Sequence, residues 1–167
     1  MDRQILFSTG ESVLGTVLVA RSERGVCAIL FGDDPSELER DLRQRFPHDE
    51  VCNAYVGLES LVAQVARFLD APRTRLEAPL DLRGSELERR VWNALREIPS
   101  GTTETYSDVA QRLGGTATPK EVGEACAANP LAVAVPCHRV LRKDGSLGGY
   151  RWGLRRKRAL LERERAA

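Results

Sequence analysis

The sequence predicts an α/β (α+β) chain: a small antiparallel-sheet amino-terminal domain over residues 1–78, followed by a helical, winged helix-turn-helix carboxy-terminal domain over residues 79–167. Three observations lead there. "QILFS", "GTVLVA" and "GVCAILF" are short β-rich runs separated by "TGESVL" and "RSER", which is meander spacing. From Asp34 onward the apolar residues recur at helical spacing instead. Beyond residue 80 the pattern becomes one of short helices with strong punctuation, two of them joined by a glycine-containing turn.

The elements follow in order. Asp34 can cap a helix, Pro35 suits its first position and Glu37 completes a capping box, with Leu38, Leu42 and Phe46 on one face. A second helix is predicted near Leu58 to Leu69, where Leu58, Leu61, Val62, Val65 and Leu69 recur. "DAPRTRLEAP", residues 70–79, reads as a linker. Ser85 and Glu88 form a capping box for a helix carrying Leu87, Val91, Trp92 and Leu95, which stops at Ile98-Pro99. "TYSDVAQRLGG" gives a short helix ending in glycines. "TPKEVGEACAANP" gives another, with Thr118 as cap, Pro119 first and Glu121 closing a box; this second helix is the one presented outward. "LAVAV" then reads as an apolar strand entering Pro136-Cys137, "LRKDGSL" as a tight hairpin or wing around Asp144-Gly145, and "GLRRKRALLERER" as a closing amphipathic helix.

Composition bounds the function. At 167 residues and 42% hydrophobic the chain can bury a core without staples. Cys27, Cys52, Cys126 and Cys137 sit at no metal-ligand spacing, and no stretch resembles a signal peptide or a long apolar span. The expectation is a cytoplasmic protein with reduced thiols, no metal and no cofactor. The net charge of +1 hides an asymmetry: residues 1–80 hold 9 Lys/Arg against 13 Asp/Glu, whereas residues 81–167 hold 16 against 11. From Arg139 to Arg158 there are eight basic residues and one acid, Asp144. That concentration reads as a surface facing a polyanion, although a solvated helix face would account for Arg155 to Arg158.

"AVAVPCHRVL", residues 132–141, carries the chemistry. A free cysteine after an apolar strand is commonly buried and inert. Here a histidine is adjacent, arginines nearby can lower the thiol pKa, and Pro136 fixes the backbone where the thiol is presented. Adjacent side chains on an extended segment point apart, so a bridging water is the natural link between Cys137 and His138. The histidine in turn needs an orienting group, and the last helix offers Glu162 and Glu164, between which spacing alone does not choose.

Pro136-Cys137-His138-Arg139-Val140 resembles the PCHRV hallmark of the O6-alkylguanine-DNA alkyltransferases. "PLDLRGSELERRVWNALREIPSGTTETYSDVA", "ACAANPLAVAVPCHRVL", "DGSLGGYRWG" and "VARSERGVCAILFGDDP" extend the resemblance over nearly the whole chain, towards the branch containing the transferase domain of bacterial Ada. The resemblance implies a monomeric, single-turnover repair protein. It binds duplex DNA through the minor groove, rotates the damaged base out and moves its alkyl group from O6-alkylguanine, or O4-alkylthymine, onto the cysteine. Carried over, Cys137 is the acceptor, His138 the water-mediated base, Glu164 its orienting carboxylate and Asn129 the hinge asparagine. Tyr106 crowds the phosphate and donates to the flipped base. Thr118, Lys120, Ala127, Arg139 and Tyr106 fall on the DNA side. Val140, Gly148, Gly149, Tyr150, Arg151 and Trp152 surround the purine, with Trp152 a bulky wall that favours small alkyl groups.

The recognition helix departs from the family pattern. Lys120 stands where members carry an arginine that fills the gap left by the flipped base, and a lysine cannot stack as a planar guanidinium can. Glu121 and Glu124 occupy positions usually small or neutral, and Asp108 adds a negative charge on the preceding helix. Acids facing phosphates weaken binding, which also fits an alkyl acceptor acting on a non-duplex substrate. Glu121 has a structural explanation as the partner of Thr118 in a capping box; Glu124 has none in the sequence.

Overall fold

The computed structural model describes residues 3–54, 57–71 and 76–166. The chain divides into two compact units, Met1–Leu82 and Arg83–Ala167. The first is built on a sheet of order β3-β2-β1-β4. Strands β1 (Gln4–Ser12), β2 (Gly15–Arg21) and β3 (Val26–Gly32) form the predicted antiparallel meander. A short strand that the sequence reading did not separate out, β4 (Glu50–Asn53), pairs in parallel with β1 and makes the sheet mixed. Its apolar content is one buried residue, Val51, too little for a periodic signal. Residues 17–20 of β2 are all buried, as are residues 26–31 of β3, so both sheet faces are covered there. Helix α1 (Pro35–Arg45) packs on β2 and β3, and α2 (Glu59–Asp70) on β1 and β2.

Asp34 caps α1 by accepting from the Ser36 amide at 2.9 Å rather than through the reciprocal pairing with Glu37 that the spacing predicts. Of the expected linker at 70–79, residues 72–75 lie outside the described residues. Its far end is fastened to β3: the Val26 amide donates to Pro79 O and the Asp81 amide to Val26 O, both at 2.8 Å. Buried Ser22 then donates its hydroxyl to the Asp81 carboxylate at 2.6 Å.

The second unit holds α3 (Glu86–Leu95), β5 (Glu104–Thr105), α4 (Tyr106–Arg112), α5 (Pro119–Ala128), β6 (Val140–Leu141) and α6 (Leu154–Ala166). Three capping boxes are complete: Ser85 with Glu88, Thr105 with Asp108, and Thr118 with Glu121. Asp108 and Glu121 are therefore bound to backbone at their own helix starts. Helix α3 is the platform for the other two. Trp92 Nε1 donates to Ala125 O of α5 at 2.9 Å, and Arg112 of α4 donates to Ala94 O at 2.8 Å. Gly114 and Gly115, with φ of +65° and +81°, form the turn between α4 and α5.

Two expected features take another form. "LAVAV" is a run of turns, not a strand, for reasons that lie in the cysteine segment described below. The wing at Arg142–Ser146 is a closed turn, with the Arg142 amide donating to Ser146 O and the Gly145 amide to Arg142 O. It lacks an antiparallel arm, because β6 pairs in parallel with β5 instead.

If Glu121 serves the helix start, Thr118→Ala and Glu121→Ala should each cost about 1 kcal/mol in urea unfolding, and Glu121→Gln should keep most of that stability.

Candidate active site

Asn129 ends α5 and organises the segment after it. Its side chain is completely buried: Nδ2 donates to Val135 O at 2.9 Å and to Cys137 Sγ at 3.3 Å, while Oδ1 accepts from the Leu131 amide at 2.8 Å. Between these anchors the backbone must turn tightly. Val133 takes φ +61°, unusual for a β-branched residue, with the Ala134 amide donating to Ala132 O around it. Pro136, at φ −80° and ψ 62°, centres an inverse γ-turn that the Cys137 amide closes on Val135 O at 2.8 Å. Cys137–Arg139 then form a single 3₁₀ turn, not the extended segment expected from the sequence.

That turn sends His138 and Arg139 to one carboxylate. His138 Nε2 lies 2.7 Å from Glu164 Oε1, both residues being almost solvent-free at 0% and 1% exposure. Arg139 donates from Nη2 to Oε1 at 2.7 Å and from Nε to Oε2 at 3.0 Å, with Nη1 on Ile98 O at 2.7 Å. Burial pushes the Glu164 carboxyl up, but the bonds from His138 and Arg139 outweigh it and hold it at about 2. Glu164 is thus ionised and can only accept, so Nε2 carries the imidazole proton. Burial lowers the His138 pKa despite Glu164, which keeps the ring neutral. Its lone pair is then on Nδ1, a buried atom with no hydrogen-bond partner among the described residues.

Cys137 opens into a cavity of about 580 Å³. It is lined by Tyr106, Arg142 and residues 149–151, and by Pro119, Lys120, Gly123, Cys126 and Ala127 of α5. Gly148 lies behind: at φ +70°, a Cβ there would stand 2.9 Å from the Tyr106 hydroxyl. The Tyr106 phenol pKa is raised, chiefly by burial and then by Cys126 and Cys137. Tyr150 meets Trp152 edge-on at 5.3 Å, and its buried hydroxyl has no partner among the described residues. The Cys137 thiol is pushed up to about 11 by burial, against the opposing effects of Asn129 and Lys157.

The structure brings Asn129 onto Cys137 and Glu164 onto His138, and Tyr106, Lys120, Ala127, Gly149, Tyr150 and Arg151 share the cavity with Cys137. Thr118 is exposed beside them, its hydroxyl committed to the Glu121 amide. Four positions differ, Gly148 being the first, since it faces the Tyr106 hydroxyl and does not line the cavity. Arg139 is no surface cation: Glu164 and Ile98 O absorb its guanidinium, because an ionised carboxylate this deep needs a full countercharge. Trp152, 6% exposed, is packed behind Tyr150 and is not a cavity wall. Val140 is fully buried in β6.

Within the basic run Arg155 to Arg158, composition does not distinguish Lys157 from its neighbours. It is completely buried, and its ammonium donates to Val140 O at 2.7 Å, Gly149 O at 3.0 Å and Leu147 O. One side chain thus holds the loop over residues 140–149. Its position four residues before Leu161 and seven before Glu164, on the buried stripe of α6, was the available signal.

Residues 86–166 match the family model "6-O-methylguanine DNA methyltransferase, DNA binding domain", and residues 5–82 match the "ribonuclease-like domain" of the same family. The inducible methylated-DNA--protein-cysteine methyltransferase of Bacillus subtilis is 40% identical over 89% of this chain and 84% of its own length. This chain belongs to the 6-O-methylguanine DNA methyltransferase family. The Escherichia coli bifunctional transcriptional activator/DNA repair enzyme Ada is 45% identical over 96% of the chain, which spans only 45% of that relative's length. Among solved members, Mycobacterium tuberculosis OGT in complex with DNA superposes with a TM-score of 0.81 at 31% identity, covering 98% of this chain and 93% of that one.

The Glu164 network sets an acid limit. A carboxyl held near 2 in the folded state and near 4.5 when free contributes stability above pH 4.5 that is lost as pH falls towards 2. His138, depressed below 6.5, acts in the same direction at higher pH. Urea unfolding of Glu164→Gln should show lower stability at pH 7 and a flatter profile between pH 4.5 and 2. Lys157→Met should lose about 3 kcal/mol and speed amide exchange across residues 140–149, since three carbonyls lose their donor.

Proposed function

We propose that this chain repairs duplex DNA by taking the alkyl group of O6-alkylguanine onto Cys137 Sγ, once per molecule. The observation that carries this reading is a buried thiol lining a cavity with ample room for a flipped base, beside a neutral imidazole whose tautomer Glu164 fixes. Helix α5 enters the minor groove, and the damaged base leaves the stack for the cavity, because its O6 substituent is otherwise inside the duplex. His138 Nδ1 takes the thiol proton through a water. The sulfur attacks the alkyl carbon, the S–C bond forms as the C–O bond breaks, and the electron pair stays on the guanine oxygen. Tyr106, kept protonated by its raised pKa, donates a hydrogen bond to the departing purine, and the proton held by His138 passes through water to that purine, which leaves both neutral. The product is a thioether with no easy hydrolysis route, which makes the protein stoichiometric. The same displacement serves O4-alkylthymine. All the reacting groups come from one chain and the four cysteines are free thiols, which supports action as a monomer in the cytoplasm.

Arg142, Lys120 and Arg151 ring the cavity and supply the charge for flanking phosphates. Mixing the protein with a duplex containing one O6-methylguanine should add a single methyl mass, confined to the peptide containing Cys137 and absent from Cys137→Ala. Glu164→Gln should slow transfer about a hundredfold while leaving the final stoichiometry at one. Uptake from the free base but not from the duplex would instead identify a small-molecule acceptor.

A further inference from the structure

The helix-turn-helix carries three acids, and two are accounted for: Asp108 and Glu121 are held by the amides of their own capping boxes. Glu124 is not. It is exposed and makes no hydrogen bond or ion pair among the described residues. It follows Lys120 by one helical turn and precedes Ala127 by three residues, so the three form one exposed stripe on α5. Lys120 and Ala127 of that stripe, with Gly123 beside it, line the cavity that receives the base. Glu124 therefore lies on the surface that meets DNA when the cavity is filled.

A carboxylate can only accept hydrogen bonds, and most of what DNA offers there is also acceptor. Phosphates repel it and are already served by the cations of the rim, Lys120, Arg142 and Arg151. On the floor of the minor groove every base pair presents adenine N3, thymine O2 or their equivalents as acceptors. The one donor is the 2-amino group of guanine. Small residues at Gly123 and Ala127 let the helix backbone come close enough for a side chain of this length to reach the floor.

We propose that Glu124 is a specificity-determining residue: it accepts from the 2-amino group of a guanine in the base pair next to the lesion, and so directs repair to lesions flanked by G·C pairs. This rests on the reading of α5 as the helix that enters the minor groove of damaged duplex DNA. A·T neighbours leave the carboxylate facing acceptors alone, which lowers occupancy of the productive complex without touching the chemistry at Cys137.

The test is the rate of methyl transfer at limiting protein from three duplexes that differ only beside the O6-methylguanine, where the pair is G·C, A·T or inosine·C. Inosine removes the 2-amino group and with it one Watson–Crick bond, and Glu124→Ala, which leaves the pair unchanged, separates a readout of the amino group from an effect of pair stability. The unsubstituted protein should favour G·C by about fivefold over both others. Glu124→Ala should react at similar rates with all three. Equal rates for the unsubstituted protein, a preference that survives in Glu124→Ala, or a uniform gain on all duplexes from that substitution would each overturn the proposal, the last reducing Glu124 to a repeller of phosphate. Absence of transfer from any duplex by the unsubstituted protein would remove the reading of duplex repair, and this proposal with it.

Discussion

An ionised carboxylate with 1% solvent exposure is tolerable only when its charge and its lone pairs are both answered, and at Glu164 the answer comes from two consecutive residues of the cysteine turn. Arg139 supplies the countercharge in a forked geometry that a lysine could not reproduce. His138 supplies the remaining donor and is thereby locked in one tautomer. Removing one partner from such a group costs about 3–5 kcal/mol, enough to threaten a unit of this size. The same contacts tie the last turn of α6 to residues 137–139, so folding and the alignment of the base are one event.

Lys157 extends the arrangement. With Glu164 and Arg139 ionised and Lys157 buried nearby, the interior around the thiol holds two cations and one anion. Ionising Cys137 would balance them. That is why Lys157 lowers the thiol's pKa even though burial prevails. Lysine is also suited to its second task, since three ammonium protons meet three carbonyls of one loop and no donor is left over.

Local rules made much of this legible. The capping boxes at Ser85 and Thr118, the apolar faces of α1 and α2, the meander of β1–β3 and the PCHRV motif are all patterns within a few residues, and the structure carries each of them. Failures came where tertiary partners decide. "LAVAV" is β-rich by composition, yet Asn129 binds both Val135 O and Leu131 N, and the backbone between them folds into turns. Arg139 and Lys157 look like members of a basic surface because charge counting ignores direction; a buried acid and three carbonyls claim them. Glu162 and Glu164 could not be separated by spacing, but only Glu164 lies on the stripe that continues from Lys157 through Leu160 and Leu161.

A thiol pushed up to about 11 by burial is protonated at neutral pH, an unpromising starting state for a nucleophile. For a protein that reacts once, the arrangement has a physical logic. A standing thiolate in an open cavity would be oxidised or alkylated by any small electrophile, and each such event would consume the molecule. A protonated thiol beside a neutral imidazole is inert until a bound base fills the cavity and presents an alkyl carbon to the sulfur. Proton loss can then accompany S–C bond formation, when the sulfur's developing charge passes, as the C–O bond breaks, to the departing purine oxygen instead of being held in the protein. Burial, which suppresses the free thiolate, also strengthens the attraction of His138, once protonated, for Glu164. The feature that raises the thiol pKa is therefore the one that confines the reaction to the substrate.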